Sequence, residues 1–169
     1  PQGKQTTTVI WNKATASGER LEWPEDMRPW FDVHSQQFDD LALEAVHGKV
    51  FDRYPGLFRF AATNRNGAPF DFHLVPLHLK AMGEGAMRRA MAAKILAAAI
   101  RRQVEDGIEG DWVVGGDFNA ELATGQFSAL LDHGLVPLSA EDEENGAMTY
   151  LKSPHSAIDH IFLSADMAR

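Results

Sequence analysis

Asp111-Trp112-Val113-Val114-Gly115-Gly116-Asp117-Phe118-Asn119-Ala120 is the stretch on which the fold turns. The apolar run over 111–116 predicts a short buried strand. Its glycines allow tight backbone passage or the close approach of a ligand. A carboxylate and a carboxamide follow, two residues apart. If the backbone stays extended, Asp117 and Asn119 project to the same side. Such a carboxylate can accept a proton or touch a metal, and the amide can donate to an anionic oxygen. Taken alone, the same residues also fit a strand ending in an Asx turn.

Working outward, residues 70–79 read as a long strand, introduced by the hairpin-type turn Asn64-Arg65-Asn66-Gly67. Residues 51–62 form its partner, broken at Pro55-Gly56. Alternation sends His73 and His78 to opposite faces, His78 with Phe70, Phe72 and Leu74. Pro76 removes a ladder donor, so a bulge or an edge is expected there. A last strand covers 158–163 and turns Asp159 away from His160. The clearest helix is 85–104, with Met87, Met91, Ile95 and Ala98 on its apolar stripe and Arg88, Arg89, Lys94, Arg101 and Arg102 opposite. Residues 126–132 form a short helix ended by His133-Gly134. Residues 6–11 read as a strand and 12–28 as a loop anchored by Trp23 and Trp30. Within 31–47, residues 41–46 fit a short helix or a strand. Residues 141–144 with Asn145-Gly146 read as an acidic loop with no fixed metal-binding geometry. Strands interspersed with helices make the class α/β.

The 169 residues fit a single domain, 1–169. The chain has no cysteine, which excludes disulfides, thiolate zinc sites and a cysteine nucleophile and leaves the compartment undecided. No apolar run approaches the roughly 20 residues of a membrane span. The net charge of −8 argues against bulk duplex binding, which needs a basic face. It suits small phosphoesters, or a site whose divalent ion supplies positive charge. A start at Pro1 without Met suggests a processed, truncated or tag-cleaved product.

Three islands in fixed order, Pro76-Leu77-His78-Leu79-Lys80, Gly116-Asp117-Phe118-Asn119-Ala120 and Ser156-Ala157-Ile158-Asp159-His160-Ile161, resemble the metal-dependent endonuclease/exonuclease/phosphatase superfamily. This is the group of pancreatic-type deoxyribonuclease, abasic-site endonuclease and neutral sphingomyelinase. Gly-Asp-Phe-Asn matches the family motif residue for residue. The resemblance implies a two-sheet α/β sandwich of the deoxyribonuclease-like type, incomplete in this chain, with the site at one end. It implies hydrolysis of a phosphoester by in-line water with Mg²⁺ or Mn²⁺. In that scheme Asp117 positions or activates the water, His78 and Asn119 stabilise charge on the phosphoryl oxygens, and Asp159 orients a later histidine. Phe51-Asp52-Arg53-Tyr54-Pro55 resembles a family strand whose arginine approaches phosphate, which makes Arg53 the substrate-binding candidate. On residue type alone Arg59 serves equally.

The chain departs from the pattern at its ends. The family's early Asn and its metal-binding Glu would precede Pro1, and its Ser-Asp-His would follow Arg169, so the residues that hold metal are left open. His160 occupies the variable position after the aspartate and is not that histidine. His34, His47, His133 and His155 read as surface or loop residues. Substrates consistent with the chemistry include DNA, RNA, nucleotides, inositol phosphates and lipid phosphodiesters. Specificity would lie in 12–30 and 137–155; Trp23 and Trp30, with Trp11 just before the first stretch, stack a base or anchor a core. The competing reading is a fragment or scaffold that keeps the fold without turnover. Unpaired edges beside 6–11 and 158–163 would favour self-association.

Overall fold

Six strands form one mixed sheet in the order β1-β2-β3-β4-β6-β5 among residues 7–32, 49–108 and 110–169, which the computed structural model describes. They are β1 (Ala16–Leu21), β2 (Leu57–Thr63), β3 (Pro69–His78), β4 (Trp112–Asp117), β5 (Leu135–Pro137) and β6 (Asp159–Ser164). The helices are α1 (Arg28–Phe31), α2 (Ala86–Glu105), α3 (Ser128–Asp132) and α4 (Ala140–Glu144). The α/β class is therefore observed. Two packed sheets were the expectation, and one is present among the described residues.

The meander β1-β2-β3 is antiparallel. Its second turn is the expected one: Asn64 Oδ1 accepts the amides of Asn66 and Ala68 at 2.9 and 3.0 Å, and Gly67 takes a φ of 81°. β3 then runs parallel to β4, and α2 supplies the crossover such a pairing needs. Pro76 sits two residues beyond the last β2–β3 pair, Phe58 with Leu74, so β2 makes no demand on its missing N–H. That is the edge position a strand proline requires.

Several expectations are corrected. Residues 7–11 form no strand, and the first strand lies at 16–21, inside the stretch expected to be a loop. The signal was masked because this edge strand is mostly polar. Its Gly18 lies where a Cβ would come within 2.3 Å of the Phe60 ring. Residues 140–144 are helical rather than a loop. The outer strands are β1 and β5; β5 covers β6 only over 162–164, with one further bond from the Leu138 amide to the Ile161 carbonyl, so 158–160 has no strand partner on that side among the described residues. The region 41–46, His34 and His47 lie outside the described residues.

The core sits between one sheet face and α2. Val75, Leu77 and Leu79, with Trp112, Val114 and Phe162, meet Ala92, Leu96, Ala99 and Ile100. Each large apolar side chain so buried contributes about 1.5–3 kcal/mol. Trp23 belongs to this core as expected: it packs on Phe31 and Trp112 and donates Nε1–H to the Pro55 carbonyl at 2.9 Å. Trp30 packs against the core edge. The opposite sheet face carries an aromatic ladder, with Phe58, Phe72 and Trp11 all on Phe60 and Phe70 on Phe72.

α2 is rotated from the expected orientation. Met87 is exposed, whereas Arg88 and Arg89 are buried. The physical reason is that partners on neighbouring segments draw both guanidinium groups inward, although Arg88 Nε is left without a hydrogen-bond partner. Arg88 bonds Asp52 Oδ1 at 2.5 Å and the Lys49 carbonyl. Arg89 holds the carbonyls of Lys80 and Met82 at 2.6 and 2.8 Å and Gln126 Oε1 at 2.7 Å, pinning the chain that leaves β3. Arg89→Met should therefore cost about 3 kcal/mol in urea unfolding. Arg101→Met, which removes an exposed pair with Glu105, should stay within about 0.5 kcal/mol.

Candidate active site

The site begins with register. His78 pairs with Asp117 across β3–β4, and Asp117 pairs with Asp159 across β4–β6. Three neighbouring strands thus put three ionisable side chains side by side where β3 and β4 end and β6 begins. Alternation places His78, Asp117 and Asp159 on the face away from α2, since His160 and Phe162 point into the core. His78 Nε2 lies 3.5 Å from Asp117 Oδ2. Arg53 Nη1 donates to the His78 carbonyl at 3.5 Å. Arg59 is elsewhere, paired with Asp71 at 2.6 Å and in register with His73. Geometry thus separates two arginines that residue type left equal.

The Gly116–Ala120 turn explains how the strand end is shaped. Asp117 Oδ1 accepts the Asn119 amide at 2.9 Å, which is the Asx turn. Asn119 takes a φ of 54°, and its Nδ2 donates to the Leu79 carbonyl at 3.1 Å. Of the two readings of 117–119, extended backbone or Asx turn, the turn is the one observed: the chain turns at once, and Asn119 itself is the left-handed residue. Between them Phe118 drops into the core against Phe127, His160 and Phe162. The motif is tied to both neighbours, with the Leu79 amide on the Asp117 carbonyl at 2.9 Å and the Phe118 amide on the Ile158 carbonyl at 2.7 Å.

Burial pushes the Asp117 carboxyl above the ordinary aspartate range. The bonded Asn119 amide, then His78, pull the other way; Asp159 adds to the rise and Arg53 opposes it. A carboxylate so placed is a better proton acceptor than a solvated one. His73 is no part of the site. It is buried, stacked on Trp112 at 4.7 Å, and burial holds it below the usual imidazole range. His133 and His155 are exposed, as expected.

Sequence reasoning missed the supports behind this turn. His160 is 1 % exposed, with Nε2 2.9 Å from the Ala120 carbonyl and Nδ1 2.9 Å from Ser139 Oγ. Glu143, on α4, accepts the amides of Leu122 and Ala123 at 2.9 and 3.0 Å. Nothing in an isolated His or Glu signals such a contact, because the partners are backbone groups distant in sequence. Among the described residues no group of three His, Asp or Glu side chains is gathered to hold a metal ion. Asp117 and Asp159 offer the oxygen donors that Mg²⁺ or Mn²⁺ prefer, but they do not complete a cage.

No protein-family model matches the chain, and no curated protein does. Solved structures do match. The human Nocturnin catalytic domain with bound sulfate aligns at 20 % identity over 66 % of this chain and 42 % of its own length, with a TM-score of 0.44. Truncated Caenorhabditis elegans TDP2 aligns at 16 % identity over 66 % and 46 %, with a TM-score of 0.49. An endonuclease/exonuclease/phosphatase family protein from Bacteroides thetaiotaomicron aligns at 20 % identity over 64 % and 41 %, with a TM-score of 0.39. The chain spans about half the length of these structures. No helix among the described residues is long and apolar enough to cross a membrane.

Proposed function

We propose that this chain carries part of the active site of a phosphoester hydrolase of the endonuclease/exonuclease/phosphatase type. The observation that supports it best is the side-by-side register of His78, Asp117 and Asp159, with Asn119 held beside them in a left-handed turn. In this reading the Asp117 carboxylate orients an attacking water and takes its proton, helped by the burial that raises its basicity. His78 and the remaining Asn119 amide hydrogen donate to phosphoryl oxygens as charge builds on them. Arg53, bonded to the His78 carbonyl, contacts the substrate phosphate. Asp159 is set to orient a further histidine. A divalent ion, when bound, would supply Lewis-acid stabilisation, with the Asp117 and Asp159 carboxylates as available oxygen donors. The aromatic ladder on Phe60 would then be the inner face of a two-sheet sandwich, covered by a second sheet. The substrate is a phosphoester, with nucleic acid among the candidates.

A panel assay tests this reading. Phosphomonoesters, bis-p-nitrophenyl phosphate, DNA and RNA are each incubated with the full-length protein and Mg²⁺ or Mn²⁺. At least one phosphoester should be hydrolysed, and His78→Ala should slow it by roughly 10²–10³-fold. No hydrolysis of any member, or an unaffected His78→Ala, would count against the assignment. The incomplete ligand set among the described residues favours a second reading for residues 1–169 alone, a fold-retaining scaffold with weak Mg²⁺ binding and little turnover. Robust turnover by those 169 residues would refute it.

A further inference from the structure

We infer that His160 is a positioning residue for the turn bearing Asp117 and Asn119, held in one tautomer between the Ala120 carbonyl and the Ser139 hydroxyl. The inference rests on the hydrolase reading only for its effect on rate. Its structural half stands by itself.

The Ala120 carbonyl can only accept, so the Nε2 atom 2.9 Å away must carry the hydrogen. In that tautomer Nδ1 is an acceptor, and the Ser139 hydroxyl, 2.9 Å away, donates to it. The ring has no freedom to change partners. It is 1 % exposed and flanked by Phe118 and Phe127 at 5.6 and 6.2 Å. His160 also pairs with Gly116 across β4–β6, so its backbone fixes the start of the turn and its side chain the end. The Asn119 φ of 54° costs conformational energy, and a clamp on the following residue opposes its relaxation.

The same contacts reach outward. Ser139 precedes α4, and Glu143 on that helix accepts the Leu122 and Ala123 amides just past the turn. The Glu143 carboxylate lies 3.9 Å from His160 Nε2 and is the charged group facing it. Residues 139–143 therefore grip 120–123 from two sides, and the segment expected to set specificity is joined to the turn expected to do chemistry.

The test uses isotope-labelled residues 1–169. A long-range proton–nitrogen spectrum at pH 8 should show His160 as the Nε2–H tautomer; the Nδ1–H form would overturn the inference. His160→Gln keeps a donor in place of Nε2–H, and His160→Leu keeps only bulk. The Asn119 amide, bonded to Asp117, should exchange with solvent about tenfold faster in the Leu variant and return to within about threefold in the Gln variant. The Asn64 amide, bonded to Ala68 in the distant hairpin, should not change. Equal exchange in Leu and Gln would show that His160 only fills space and would overturn the proposal. If His160→Leu does not fold, Ser139→Ala provides the readout: faster exchange of the Asn119 amide supports the proposal, and unchanged exchange overturns it. In any active form of the protein, His160→Leu should lower kcat about tenfold with KM unchanged. An inactive Asp117→Ala beside a fully active His160→Leu would defeat the positioning role alone. An active Asp117→Ala would defeat the hydrolase reading and leave the tautomer result intact.

Discussion

Asp117→Asn should abolish phosphoester hydrolysis and at the same time raise thermal stability at neutral pH. The loss follows from the role proposed for the carboxylate: an amide can still face the water but cannot take its proton. At least about a thousandfold in kcat/KM is expected, measured in the shortest form of the protein that hydrolyses bis-p-nitrophenyl phosphate. The gain follows from burial. The carboxyl is held above its unfolded range chiefly by desolvation, with Asp159 adding repulsion, so the ionised form costs stability in the folded state. The asparagine Oδ1 keeps the Asx bond to the Asn119 amide. As the pH falls through the raised folded value, wild-type Asp117 takes up its proton in the folded state first and the wild type recovers. The advantage of the variant therefore shrinks across that window and is gone below the ordinary aspartate range. Paired melting curves from pH 7 downward report the difference. The acid limb of kcat/KM should likewise lie above the ordinary aspartate range. Full activity in the variant, or a lower melting temperature with no pH dependence, would contradict this account.

Gly116→Ala should be the most destabilising of the glycine-to-alanine changes among the described residues. Gly116 has a φ of 140°, where a side chain is strained whatever the space around it. A Cβ would also lie 2.1 Å from the Leu77 carbonyl oxygen and 3.0 Å from its carbon. Both are backbone atoms of a paired strand, with no rotamer to move aside. Relief requires parting β3 from β4, which would also break the register of His78 with Asp117. A cost of about 3–5 kcal/mol is expected. At this chain length that lowers the midpoint by roughly 6–20 °C, read by calorimetry. Gly67→Ala is the control: it shares the positive φ but a Cβ there meets nothing, so only the backbone penalty of about 1 kcal/mol should remain. Equal losses at the two positions would show that the close approach to Leu77 does not matter.

The strands that bear the site were legible because their signals are local. Alternation over 70–79, the Asn-Arg-Asn-Gly turn and the apolar run before Asp117 each carry their own pattern, and the structure places strands there. What failed was either polar or non-local. β1 hides in Ser-Gly-Glu-Arg, where only pairing with β2 makes a strand. The face of α2 was misjudged because charge was taken to mean solvent, whereas Arg89 spends its donors on Lys80, Met82 and Gln126. At the site, the family resemblance pointed to His78, Asp117, Asn119, Asp159 and Arg53, and the fold brings these residues near one sheet end. The distinction between Arg53 and Arg59 needed register. So did His160, whose partners are a carbonyl 40 residues away and a serine hydroxyl 21 away.

β3 is antiparallel to its neighbour over one half of its length and parallel over the other. The hairpin half closes between residues a few positions apart, Thr63 with Pro69. The parallel half joins His78 to Asp117 only after the excursion through α2, and Asp117 meets Asp159 only after a second excursion of similar length through α3, β5 and α4. Loop-closure entropy therefore opposes both of the site's pairings more than it opposes the hairpin. The row of side chains at the proposed site is whole only when both long closures have been made.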